Sequence, residues 1–124
     1  MTQPHNASPA TSPTASRFWA DWTTRAFSQA QLSGTLAQTI AVLPVAATEQ
    51  HGPHLPLHVD STLVDGVIAA SLPHIAADVP ALFLPTQAVG LSPEHAAFAG
   101  TLTLKAETTI RLWTDIAESV AASG

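Results

Sequence analysis

The chain's 124 residues are enough for one domain, and with 46% of them apolar and 10% charged the composition suits buried strands better than disorder. A formal net charge of −5, with cations scattered at Arg17, Arg25, Lys105 and Arg111, argues against nucleic acid, whose phosphates need clustered positive charge. The absence of cysteine excludes disulfides and thiolate metal sites, and no apolar run reaches the roughly 18–20 residues of a membrane helix, so a soluble cytoplasmic protein is expected.

Taken in chain order, residues 1–16 are Pro, Ser, Thr, Ala and Asn with almost no large apolar side chain, which predicts a disordered leader. Order is expected over 17–124. Phe18, Trp19, Trp22, Ala26 and Phe27 recur at three- and four-residue intervals and predict a short amphipathic helix. Self-packing is a simpler role for Trp19 and Trp22 than partner binding. The apolar run 39–46 reads as a strand buried on both faces. Gly52, Pro53 and Pro56 then forbid regular helix or central strand. A helix is expected at about 60–72, with Val64, Val67, Ile68 and Leu72 as its stripe and Asp60 or Ser61 as its N-cap. Residues 79–85 predict a second buried strand, 90–98 a loop, and 100–104 a brief extended piece. A last helix over 106–121 would carry Ile110, Trp113, Ile116, Ala117 and Val120 on one face. Strand, helix, strand, helix is the order of an α/β fold with a mainly parallel sheet. Right-handed crossovers would set both post-strand loops along one sheet edge, where ligand sites of such folds collect.

Those loops hold the chemistry. Five of the six histidines come after the leader: His51, His54, His58, His74 and His95. The i, i+3, i+7 spacing of His51, His54 and His58 would align them on a helix, but the intervening Gly and Pro residues rule that out. In an extended segment, residues at i and i+2 point the same way, so Glu49 and His51 can converge. A turn at Pro53–Pro56 can then return Asp60 beside them. Two carboxylates and an imidazole suit Zn²⁺ or Mn²⁺, and a metal pair there could polarise a carbonyl and activate a bound water as nucleophile. The simpler readings are a solvated or core-packed histidine, an N-capping Asp60 and a surface Glu49.

The string Thr48-Glu49-Gln50-His51-Gly52-Pro53-His54-Leu55-Pro56-Leu57, closed by Asp60, resembles the T-E-Q-H-G-P-H-L-P-L-x-x-D signature of the creatininase family of metal-dependent amidohydrolases. A second block, Gly90-Leu91-Ser92-Pro93-Glu94-His95 with Phe98, Gly100, Thr101 and Leu102 after it, is similar to that family's G-x-S-x-E-H-x-x-F-x-G-T segment. The resemblance implies a three-layer α/β/α sandwich, often in higher oligomers. It implies Glu49, His51 and Asp60 as metal ligands, with Asp60 bridging two ions. It leaves His54, His58, Ser92, Glu94 and His95 as residues that touch substrate or support the ligands. The implied reaction is hydrolysis of the C–N bond of a small or cyclic amide, by creatinine ring opening, deformylation or peptide trimming. Departures are mild: Ala46-Ala47 replaces a small Gly-Ser pair, His58-Val59 a more polar one, and Lys105 a small capping residue. The family's later N-x-H-G-G-N-like ligand segment is not found. The expectation is therefore a truncated, N-terminal half of the fold that depends on a complementing C-terminal half for activity. The alternatives are a non-catalytic remnant and an accessory metal-binding or partner-binding subunit.

Overall fold

The computed structural model describes residues 16–124; the expected leader over 1–16 lies outside them apart from Ser16. Strand β1 (Ile40–Val42) pairs in parallel with β2 (Ala81–Phe83), in the register Ile40–Ala81, Ala41–Leu82 and Val42–Phe83. Helix α2 (Val59–Ser71) lies between them in sequence, as parallel pairing requires of its connection. The fold is α/β, as expected. Its buried apolar centre is Leu82, Phe83 and Leu84 of the β2 segment with Leu36. Phe83 and Leu84 border a pocket with Asp65 and Ile68 of α2. Leu84 also lines a second pocket with Leu112 and Ile116 of α3 (Ala106–Ala122).

The N-terminal segment departs from the expected single helix. Phe18 forms a parallel bridge to Phe83, whose N–H donates to the Arg17 carbonyl at 2.8 Å. The free edge of β2 thus captures this residue. A single 3₁₀ turn comes next at Trp19–Asp21, and helix α1 (Thr24–Leu32) begins only after Thr23, whose side chain accepts from the Ala26 N–H. That hydroxyl cap fixes the start of α1. Trp19 and Trp22 pack on Phe27 with ring centroids 4.5 and 5.2 Å away, and the Trp22 indole donates to the Ser16 carbonyl. The guanidinium of Arg17 donates to the carbonyls of Val79 and Ala76 at 2.7 and 2.8 Å, tying the segment to the approach of β2.

Strand β1 is shorter than 39–46 and not buried on both faces. Pro44 interrupts it, since proline gives no ladder donor, and Ile40 is 57% exposed. Helix α2 starts one residue earlier than expected, after His58, with no side-chain cap. Asp60 therefore sits in its first turn and not at the cap, which leaves the carboxylate to other partners. Lys105 precedes α3 without a side-chain cap either. The apolar surface of α3 is also broader than one stripe. Leu112, Ile116 and Val120 are half-buried, whereas Ile110 and Trp113 face outward. With Leu63 and Val67 of α2, and with Val45 and Leu91, they wall an open cleft of about 820 Å³. No helix among the described residues is long and apolar enough to cross a membrane.

A contiguous apolar cleft of this extent drives association in water. The purified chain is expected to elute as a dimer or larger species in size-exclusion chromatography with light scattering. A Leu63→Lys, Val67→Lys double substitution should raise the monomer fraction. A wild-type chain that stays monomeric over a wide concentration range would contradict this.

Candidate functional site

The segments leaving β1 and β2 run side by side. Their pairing continues through Leu84 N–H to the Val42 carbonyl, Gln87 N–H to Pro44, and Ala46 N–H to Gln87. The Thr48 hydroxyl donates to the Ala88 carbonyl at 2.7 Å, and the Leu102 N–H to the Thr48 carbonyl at 2.9 Å. The Thr48 segment is thus held from both sides. The closest approach is at Gly90, where an added Cβ would stand 2.7 Å from the Ala46 carbonyl oxygen. A hydrogen is all that fits there. This contact lays the loop that carries Ser92, Glu94 and His95 onto the loop that carries Glu49 and His51.

The first loop folds back as its prolines require. Glu49 N–H donates to the Leu57 carbonyl at 3.2 Å, and Gly52 takes φ +82°, a backbone region glycine enters without strain. As a result Glu49, His51 and Asp60 converge, each offering a ligand atom within 4.8 Å of the others. The imidazole of His51 is oriented by its own neighbour, with Nδ1 lying 3.0 Å from the Glu49 backbone oxygen. A carbonyl only accepts, so Nδ1 carries the hydrogen, and Nε2 of the neutral ring presents a lone pair. That lone pair lies 3.2 Å from Asp60 Oδ1. Two acceptors face each other and require a cation between them, either a proton on Nε2 or a metal ion. The same arrangement raises the His51 pKa above its ordinary value. The Glu49 carbonyl is the leading cause, burial opposes it, and the Asp60 carboxylate adds to it. An imidazole whose second nitrogen donates to a backbone carbonyl is the usual posture of a metal-ligating histidine. The donor set suits a divalent metal ion.

A second group, Glu49, Glu94 and His95, also brings its ligand atoms within 4.8 Å, with Glu49 common to both. His95 Nε2 lies 3.5 Å from Glu49 Oε1, and His95 Nδ1 lies 2.8 Å from the amide nitrogen of Gln50. Sequence reasoning misses Gln50. A lone glutamine carries no chemical signal, and only its place between Glu49 and His51 points to it. Ser92 is 1% exposed; its N–H donates to the Thr103 hydroxyl, while its own hydroxyl finds no partner among the described residues. His54 and His58 are exposed and belong to neither group, and His74 ends a 3₁₀ turn after α2. Glu49, Asp60, Ser92 and Glu94 line the 820 Å³ cleft together with Leu63, Val67, Ile110 and Trp113. Ligand-capable side chains thus open onto a space of small-molecule size.

A family model described as creatinine amidohydrolase matches residues 7–124. Over 86 residues the chain is 37% identical to a mycofactocin precursor peptide peptidase of Mycobacterium tuberculosis (strain CDC 1551 / Oshkosh), a match covering 64% of this chain and 34% of that protein. It is 39% identical over 67 residues to the peptidase of the same name from Mycolicibacterium smegmatis, covering 52% and 27%. A solved creatininase mutant of the Zn–Zn type superposes with a TM-score of 0.72 and 28% identity, over 89% of this chain and 42% of that one. The chain spans about a third of the length of the curated relatives it matches.

The geometry carries two expected outcomes. Gly90→Ala must push the Ala46 backbone away, at a cost of about 1–3 kcal/mol as for other overpacked sites. Chemical denaturation should show that loss, and the Gln50–His95 contact should loosen with it. An unchanged denaturation midpoint would argue against the close approach. His51 gains a proton-stabilising partner on folding, so its contribution to stability is present at low pH and is lost as pH rises through its raised pKa. An NMR titration of the His51 ring should place its midpoint above the ordinary histidine value.

Proposed function

The chain belongs to the creatininase family, and we propose that it supplies Glu49, His51 and Asp60 to a divalent-metal centre that hydrolyses an amide C–N bond. The observation that carries this is the lone pair of His51 Nε2 facing Asp60 Oδ1 beside the Glu49 carboxylate. The zinc-type creatininase among the similar structures supports a divalent ion, and the mixed donor set favours zinc or manganese over harder cations. The relatives' designation as precursor peptide peptidases favours a peptide amide over a small cyclic one as substrate.

A bound divalent ion supplies Lewis acidity, to the amide carbonyl and to the attacking water alike. The remaining work falls to the protein's own side chains. Glu49 and Asp60 bring negative charge from two directions, and the Glu49 carbonyl fixes the imidazole plane of His51. Three protein donors leave room for substrate and water, as catalytic ions need and structural ions do not. To Glu94, an exposed carboxylate lining the same cleft, we assign the proton transfer to the departing amine. The apolar wall of Leu63, Val67, Ile110 and Trp113 offers a surface for the substrate's apolar flank.

Calorimetric titration of the intact chain with Zn²⁺ and with Mn²⁺ tests the reading. Binding should disappear in His51→Ala and weaken by at least about tenfold in Glu49→Gln and Asp60→Asn, since each removes a donor or its charge. Unchanged affinity in all three variants would overturn the assignment.

A further inference from the structure

We infer that His95 is a positioning residue, a neutral imidazole held by Gln50 in its Nε2–H tautomer, which orients the Glu49 carboxylate and does not itself bind metal. This rests on the metal centre proposed above and adds a support to it. The chain of contacts begins at Gly52, two residues beyond Gln50. Gly52 N–H donates to one amide atom of Gln50 at 2.9 Å, and because a backbone N–H only donates, that atom is the oxygen. The other amide atom is therefore the NH₂, and it lies 2.8 Å from His95 Nδ1. An NH₂ offers hydrogens and accepts none, so Nδ1 receives the bond and carries no hydrogen of its own. In a neutral ring the hydrogen is then on Nε2, the atom 3.5 Å from Glu49 Oε1. A doubly protonated ring would set two donors against each other at Nδ1.

The consequence separates the two groups that share Glu49. Glu49, Glu94 and His95 are close enough to hold an ion, but neither ring nitrogen of His95 has a lone pair to give. Nδ1 has committed its own to Gln50, and Nε2 bears a hydrogen. His51 and His95 flank the same carboxylate in opposite tautomers, His51 with Nε2 free for a cation and His95 with its Nε2–H on the atom 3.5 Å from the anion. A neutral donor steers Glu49 without neutralising it, so the full carboxylate charge remains for the ion. The support is itself held. Gln50 N–H donates to the Thr101 hydroxyl at 3.3 Å, and the Phe98 ring lies 6.1 Å from the His95 ring at a tilt of 58°.

Long-range ¹H–¹⁵N correlation spectra of the uniformly ¹⁵N-labelled intact chain decide it, recorded without metal and with Zn²⁺. For His95 we expect a protonated Nε2 and an unprotonated Nδ1 in both states, while only His51 takes the signature of a ligated ring. A His95 that starts as the Nδ1–H tautomer, or loses its Nε2 hydrogen to zinc, overturns the inference. In zinc titrations His95→Ala should weaken binding by roughly 10- to 100-fold, the range for groups that orient a metal ligand. His95→Gln restores an N–H near the Nε2 position and should recover most of that loss. Wild-type affinity in His95→Ala, or no recovery in His95→Gln, also overturns it. Were the wild-type chain to bind no zinc, the metal centre would fall, and the tautomer seen without metal would still decide the role of His95.

Discussion

The site depends on the parallel pairing of two short segments, carried past the point where each stops being a strand. Parallel neighbours run in one direction, so the loops that leave β1 and β2 emerge at the same end. Hydrogen bonds from Ala46 to Gln87 and from Thr48 to Ala88 keep the segments together well beyond the last ladder pair. The backbone contact at Gly90 then sets their separation. If the two segments diverged after Val42 and Phe83, Glu49 and His95 would still be in their loops, but nothing would bring them together.

Within that frame, polarity is assigned by which groups can only donate and which can only accept. The carbonyl of Glu49 fixes the hydrogen of His51, and the N–H of Gly52 fixes the amide of Gln50, which in turn fixes His95. Three backbone or amide groups thus determine which nitrogen lone pair is available to a cation. Distance alone does not, because two groups meet the spacing of a metal site and both contain Glu49.

Much of this is readable from residue order. Glu49, His51 and Asp60 are legible because their convergence is local: an extended i, i+2 pair and a turn forced by Pro53 and Pro56. The helical spacing of His54 and His58 is a coincidence that the Gly and Pro residues expose, and both side chains lie outside the ligand groups. Both post-strand loops and the α/β order are also legible from apolar runs and breakers. The first helix is not. Phe18 and Trp19 have helical spacing to Trp22 and Phe27, yet an open sheet edge competes for Phe18 and the Thr23 cap restarts the helix later. The burial of β1 is illegible because an apolar run does not state what covers it, and Ile40 is largely exposed. Gln50 is invisible for a different reason. Its role lies wholly in two hydrogen bonds to groups that only the folded chain places beside it.

The two contacts made by the histidines also differ in how much chain each must close. His51 and Asp60 are 9 residues apart, while Gln50 and His95 are separated by 45. Loops of about ten residues close in roughly 10–100 ns, so the carboxylate–imidazole pair can meet again and again in a chain that has formed nothing else. The longer closure costs about 1.4 kcal/mol more in chain entropy, somewhat over two doublings of loop length, and it must wait for β2 to dock on β1. The His51–Asp60 approach is therefore local, whereas the tautomer-fixing Gln50–His95 contact is made only once the sheet is in place.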